Sequence, residues 1–311
     1  MVISININKS PNTKNKSPNT KNRTSNTKNK SSNTKNKSHN TKNRSSNTKN
    51  KSPNNKSNML YINPSYKTYE KTHHLIIICA GDESLHYKKK WYGKSRKYVL
   101  CVIYFGDNKD IETKYRETSD ILVKNKGPKW SLIRSVLMNW KNWKQFKFIA
   151  FPDDDLDISI SKLNSLFELG QKHRFDLFQP ALIDNGPEYV KHGILKVHNE
   201  CKFRYTDFVE IMIPIFSIKA LHKSYKLLTD SNIKSAWGID YIIPGKILKR
   251  RNVAVVDSVP ITHTKPLGAL DLQKKSSFYK KYNIDPEKEM WYFLNKYHMR
   301  PYQQRTLKCV K

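Results

Sequence analysis

Three consecutive carboxylates, Asp153-Asp154-Asp155, close an apolar run that begins at Phe148 and are followed by Leu156. Side by side they repel one another, and packing at a strand end has no use for them, so the arrangement calls for a positive partner. Oxygen ligands clustered at the carboxyl end of a strand suit Mg²⁺ or Mn²⁺. Alternate residues of an extended backbone face the same way. Asp153 and Asp155 are therefore expected to share one cavity, with Asp154 turned toward the helix that follows. A plainer role competes with this one: Ser159 opens a helix soon afterwards, and acids near a helix N-terminus cap it and meet its dipole. One carboxylate would suffice for capping. Three, with Asp157 beyond them, exceed that need.

Other residues could complete a site. His263 ends an apolar run, between Thr262 and Thr264, and neutral imidazole is a good companion to carboxylates around Mn²⁺. In Trp237-Gly238-Ile239-Asp240 a glycine separates an aromatic from an acid where a loop enters a helix. Asp240 is there either a first-turn acid stabilised by the dipole or a general base for a hydroxyl, with Trp237 packing on a sugar face. Glu210 interrupts the apolar Phe208–Phe216 stretch, and such a charge is either paired or functional. Lys129 and Arg134, on the helix opened by Pro128, could meet a diphosphate or stand in solvent as most helical charges do. No Gly-x-x-x-x-Gly-Lys-Ser/Thr segment occurs, which removes P-loop kinases.

Positioning these residues falls to alternating strands and helices. His74–Ala80, Tyr98–Phe105, Asp120–Lys124, Phe146–Phe151, Phe175–Ile183, Val209–Ile218 and Val253–Val256 read as strands, the last running into Pro260–His263. Helices are predicted from Pro128 to about Trp140, over Ser159–Gly170 with Gly170 closing it, and over Ile218–Leu228 and Asp240–Arg250. Residues 185–205 read as an irregular hairpin or lid. The pattern is that of an α/β domain, whose ligands bind beyond the carboxyl ends of the strands.

The first 58 residues are different in kind. They repeat Asn-Thr-Lys-Asn-Lys/Arg-Ser/Thr with a seven-residue step from Asn12 to Asn47, with no recurring apolar position. Such a segment has no seam to bury and is expected to be a disordered tail, leaving 59–311 as one domain. The tail holds 14 Lys and Arg and no acid, so 44 basic and 26 acidic residues remain beyond it. A polycation without aromatic residues would touch polyanions without reading sequence. Its Asn-x-Ser/Thr sequons matter only where a glycosylation machinery is met. Met1–Asn8 is too short for a signal peptide, and no apolar stretch is long enough to span a bilayer. Cys79, Cys101, Cys201 and Cys309 lie far apart with no paired spacing; Cys79 and Cys101 sit inside strand-like runs and read as buried thiols, which favours a reducing compartment such as the cytoplasm and argues against zinc. The richness in Lys, Asn, Ile and Tyr looks like AT-rich coding; a large DNA virus would place the protein in a host cytoplasm or a virion.

Six segments, in order, resemble the family known as domain of unknown function 707, which itself looks like a nucleotide-sugar glycosyltransferase of the GT-A type. They are Lys129-Trp130, Phe148–Leu156, Phe178–Leu182, Phe208–Glu210 with Pro214–Ser217, Trp237–Asp240, and Val253–His263, covering about residues 73–270. The resemblance implies an α/β, Rossmann-like GT-A nucleotide-diphospho-sugar transferase fold carrying the disordered basic tail. It implies metal binding by Asp153, Asp155 and His263 with Mn²⁺ or Mg²⁺. A nucleotide-sugar donor would lie near Asp153, Asp154, Lys129, Arg134 and Trp237, and Asp240 or Glu210 would act on an unknown acceptor hydroxyl. The chain departs from the family at Pro152 and Asp154, where Trp and Glu are usual, and at Thr264 and Lys265, where Gln and Gly are usual; the sugar preference is left open by these changes. Two other readings remain: a nucleic-acid-binding protein with an inactive α/β core, and metal-dependent phosphoryl transfer or nuclease chemistry on the same acids.

Overall fold

The computed structural model describes residues 2–4, 59–63, 66, 73–266 and 277–311. Residues 5–58 lie outside the described residues. The expectation of a disordered tail falls there, except that Val2–Ser4 is a strand, β1, paired antiparallel with β2 (Met59–Ile62).

At the centre are four parallel strands: β3 (His74–Ala80), β4 (Val99–Tyr104), β5 (Ile121–Lys124) and β6 (Phe148–Ala150). Every residue of β3, β4 and β6 is buried, as expected for strands covered on both faces. Alternation divides them between two cores. Leu75, Ile77 and Cys79 join one side, and Ile76, Ile78 and Ala80 the other. Beyond β6 the sheet runs β10 (Ile215–Ser217), β8 (Leu177–Leu182), β11 (Val253–His263), β9 (Phe203–Thr206) and β12 (Thr306–Val310). β10 is antiparallel to both β6 and β8, whereas β11 is parallel to β8. The short β7 (Leu156–Asp157) leaves the main order to pair with the end of β11, setting His263 opposite Leu156.

The helices are α1 (Leu85–Lys88), α2 (Lys109–Thr118), α3 (Lys129–Asn139), α4 (Ile160–His173), α5 (Ile218–Leu228), α6 (Ile239–Ile242), α7 (Ser277–Lys281) and α8 (Pro286–Lys296). On α3, Trp130, Ile133 and Leu137 are buried in the first core; on α4, Leu163, Leu166 and Phe167 are buried in the second. Both stripes follow the expected spacing.

Several expectations need correction. Gly170 does not end α4; the helix continues to His173, and a β-carbon at Gly170 would lie 2.5 Å from Phe178. The glycine permits close approach of helix to sheet. The stretch Asp240–Arg250 is not one α-helix. After α6 the chain turns through a π-helical segment, Ile243–Ile247, where Pro244 has no N–H to give an α-helical ladder. Of Val209–Ile218 only β10 pairs as a strand. The preceding residues stay irregular and meet the backbone after β6 through Phe151 N–Pro214 O (3.1 Å) and Asp153 N–Met212 O (2.9 Å). Helices α2 and α8 and strand β12 were not foreseen, although Asn108 and Asp285 cap the two helices through their side chains.

The cysteines also correct the sequence reading. Cys79 and Cys101 are buried free thiols, but Cys201 and Cys309 form a disulfide. Antiparallel pairing of β12 with β9 joins positions 108 residues apart, a proximity no local spacing reveals. Among the described residues no helix is long and apolar enough to cross a membrane. The disulfide ties down the last strand. Replacing Cys201 and Cys309 together by Ser is expected to lower unfolding free energy by about 2–4 kcal/mol, seen as an earlier denaturant midpoint, with peptide mapping of the unreduced protein recovering the bridged pair.

Candidate functional site

The carboxyl ends of β3, β4 and β6 open into a cavity of about 300 Å³, lined by Cys79, Phe105, Asp107, Lys126, Gly127, Lys129, Asp153, Asp154, Lys281 and Tyr282. Three acids lie against three lysines, and two aromatic side chains complete the wall. Neither Phe105, 37% exposed at the end of β4, nor Lys281 and Tyr282 from the C-terminal segment was singled out by sequence. An exposed aromatic just after a buried strand was the available signal for Phe105.

The three acids have three different partners. Asp153 accepts from the Lys129 ammonium at 2.5 Å, and the same ammonium donates to the carbonyls of Ile211 (2.9 Å) and Met212 (3.0 Å). Asp154 does not turn toward the following helix. Its Oδ2 accepts from the Gly81 backbone at 2.9 Å, tying the β6 end to the β3 end. Asp155 points elsewhere again, placing Oδ1 3.5 Å from His263 Nε2. Helix α4 is capped by Ser159, whose hydroxyl accepts from Lys162 N at 3.3 Å, so none of the three acids is its N-cap.

Burial and charge act differently on each. Burial pushes Asp153 up to about 6, against the pull of Lys129. Burial likewise raises Asp154, opposed by the Gly81 N–H. Asp155 is lowered: burial acts upward, but His263 outweighs it. His263 is raised in turn, the Asp155 carboxylate overcoming a burial that disfavours its charge. Its Nδ1 faces the Tyr189 carbonyl at 3.2 Å, an acceptor only, so that nitrogen carries the proton and Nε2 is aimed at Asp155. Asp155 Oδ1 is buried without a hydrogen bond. An orphaned carboxylate oxygen beside an oriented imidazole is a donor pair that fits a divalent cation. Among the described residues no three of His, Cys, Asp and Glu converge into a ready-made metal cluster, and Asp153 is engaged by Lys129. Asp155 and His263 thus face each other as one oxygen and one nitrogen donor, with no third such side chain beside them among the described residues.

A second acidic pair stands nearby. Glu210 receives Gln179 through its backbone, Glu210 N donating to Gln179 Oε1 at 2.6 Å; Gln179 is a fully buried polar residue of β8. Burial pushes the Glu210 carboxyl up to about 7, with Asp240 and Asp153 adding repulsion. Asp240, in the first turn of α6, is also pushed up to about 7 by burial, while backbone N–H groups oppose the shift. Trp237 lies under the Lys191 ammonium, 4.8 Å from its ring centre, and Lys191 lowers both acids. Arg134 is not brought to the cleft. Its guanidinium donates to the Asp230 carbonyl at 3.1 Å, anchoring the turn after α5.

The fold and these residues define an α/β protein with an acidic, lysine-rimmed cleft at its strand ends. The profile of the family described as "Protein of unknown function (DUF707)" matches residues 35–311, and the chain belongs to that family. The match reaches past the expected core at both ends. A search of curated proteins returns no match. Among solved structures, TarS 1–349 of S. aureus is similar at 14% identity, covering 72% of this chain and 71% of that one, with a TM-score of 0.44. The same protein in complex with UDP-GlcNAc matches at 15% identity over 72% of each chain, TM-score 0.43. A197 from STIV matches at 12% identity over 61% of this chain and 85% of that one, TM-score 0.35. Likenesses this distant carry no argument about chemistry, which rests on the residues above.

The raised carboxyls have a consequence for stability. A carboxyl whose folded pKa lies above its unfolded value costs stability as pH rises between the two, because the unfolded chain is free to ionise there while the fold holds the group neutral, and the full cost is reached above the folded pKa. Asp240→Asn and Glu210→Gln are therefore each expected to raise Tm relative to the parent at pH 8 by roughly 2–4 °C per kcal/mol relieved. The gain should shrink toward pH 4, in thermal melts across that range. A pH-independent difference would rule out burial of charge as its source.

Proposed function

We propose that the protein is a nucleotide-sugar-dependent glycosyltransferase of the GT-A type. The observation that carries this reading is the orphaned Asp155 oxygen facing His263 Nε2 at 3.5 Å, on the strand end that also delivers Asp153 and Asp154 to the lysine-rimmed cavity. Asp155 and His263 would hold Mn²⁺ or Mg²⁺, which when bound would neutralise charge on a departing diphosphate. Lys129, with Lys126 and Lys281, supplies fixed positive charge to the same phosphates, and Phe105 and Tyr282 offer faces for a nucleobase. Lys129 is already oriented by Asp153 and two carbonyls, so its charge needs no rearrangement when an anion arrives.

On the other side, Asp240 and Glu210 form a pair in which repulsion disfavours double ionisation. Both carboxyls titrate near neutrality, so one can be ionised and accept a proton there while the other holds its own. Asp240 is assigned as the base. It takes the proton of an acceptor hydroxyl whose oxygen forms the new bond to the anomeric carbon, while the bond from that carbon to the phosphate oxygen breaks. Trp237, three residues before Asp240 and with the Lys191 ammonium over its ring, gives the acceptor an aromatic surface.

Hydrolysis of a panel of UDP- and GDP-sugars with and without Mn²⁺ tests the reading, water standing in for the acceptor. The expected result is Mn²⁺-dependent turnover of one donor, with an acid limb near pH 7 set by the Asp240–Glu210 pair. Asp240→Asn should lower turnover by about 10²–10⁴-fold with donor binding kept. If Asp153→Asn with Asp155→Asn leaves both thermal-shift binding and hydrolysis unchanged, the proposal fails.

A further inference from the structure

We infer that Glu289, on the C-terminal helix α8, is a positioning residue that sets the loop carrying Trp237 and Asp240. Its consequence for turnover rests on the glycosyltransferase reading; its geometry does not. One carboxylate gathers three successive backbone donors. Glu289 Oε1 accepts from Lys234 N (3.0 Å) and Ala236 N (2.8 Å), and Oε2 accepts from Ser235 N (2.9 Å). Consecutive N–H groups converging on one anion form a concave nest, and bonds to an ionised acceptor are the stronger kind.

The loop needs such a clamp. Ala236 lies at φ 63°, in the left-handed region that a residue with a β-carbon avoids, and Gly238 lies at φ 93°. A β-carbon at Gly238 would lie 3.1 Å from Met290 Cγ and 3.3 Å from the Met290 backbone, so the loop rests directly on the residue after Glu289. Asp240 follows two residues later, where the Gly238 carbonyl receives Tyr241 N and Ile242 N and starts α6. The helix that supplies the clamp is itself fixed: Asp285 caps it, and Phe293 and Leu294 are fully buried. Two outer ties join the same helix to the same turn, Lys296 to Asp230 (2.6 Å) and Tyr292 to Asn232 (3.1 Å), but both are exposed. Glu289, by contrast, grips the backbone N–H groups immediately before Trp237.

Two measurements on the full chain test this, using Glu289→Ala, Glu289→Gln and, as a surface control on α8, Lys296→Ala. Hydrogen exchange of peptides covering residues 231–240 should show protection at 234–236 falling at least tenfold in Glu289→Ala. Glu289→Gln, which keeps one acceptor oxygen, should fall in between, and Lys296→Ala should match the parent. Hydrolysis of the donor found by the panel should show kcat reduced at least tenfold in Glu289→Ala and less in Glu289→Gln, with donor KM within twofold of the parent. A loss of folded protein alone would instead lower the active fraction without changing exchange in the folded part. Unchanged protection in both Glu289 variants would overturn the clamp. Lost protection with unchanged kcat, in a protein where Asp240→Asn abolishes turnover, would overturn its positioning role. Should Asp240→Asn itself leave turnover intact, the glycosyltransferase mechanism fails, and exchange alone decides whether Glu289 holds the loop. If Glu289→Ala does not fold, Glu289→Gln decides both.

Discussion

Carboxylates withdrawn from water are the constraint around which this protein is arranged. Asp153, Glu210 and Asp240 each ionise less readily than in solution, and burial is the leading cause for all three. A fold tolerates such a cluster only where something answers it. Lys129 answers at Asp153, bridging from the first turn of α3 to the acid and to two carbonyls of the irregular stretch before β10. His263 answers at Asp155, and the Gly81 backbone at Asp154. Asp240 accepts from the Tyr241 backbone at 3.1 Å, which opposes burial without cancelling it, and Glu210 and Asp240 are the two carboxyls pushed furthest into the neutral range.

The scaffold behind the cleft is built to leave these groups little freedom. Strands β3, β4 and β6 are buried on both faces, so their ends cannot shift without disturbing both cores. The pairing of β7 with β11 brings the chain after the triplet directly onto the strand that ends in His263. Thr264 closes this arrangement, its N–H and hydroxyl both donating to the Asp155 carbonyl. Electrostatic function of this kind depends on charges held in place beforehand, because reorientation at the moment of reaction would offset the gain.

Much of the framework was legible because it depends on neighbours in the chain. Runs such as His74–Ala80 announce buried strands, and the spacing of Leu163, Leu166 and Phe167 announces the inner face of α4. The acids at 153–155 and His263 were legible as strand-end residues for the same reason. Their pairing was not legible in the local pattern, although the family resemblance grouped Asp153 and Asp155 with His263. Alternation placed Asp153 and Asp155 together, whereas a turn after Ala150 sends each acid to a different partner. Arg134 looked equivalent to Lys129 on one helix, yet faces the turn after α5. Helix α8 carried its signals, Asp285 before Pro286, but lay beyond the segments that resembled a family. Gln179, which meets the Glu210 backbone, lay in a segment resembling the family but with no role legible from it, and Lys191, over Trp237, stood out by no pattern.

From the sequence alone came the class of fold, the central strands with helices α3, α4 and α5 in their order, and the acids and histidine at the strand ends, because backbone geometry imposes its periods over a few residues. Tertiary structure alone decided that Asp155 faces His263, that Cys201 meets Cys309, and that Glu289 gathers the N–H groups of residues 234–236. It also decided which carboxyls titrate near neutrality. Those contacts join residues more than fifty positions apart, and a carboxyl's proton affinity is set by the water it loses and the charges it meets, neither of which is written in its neighbours along the chain.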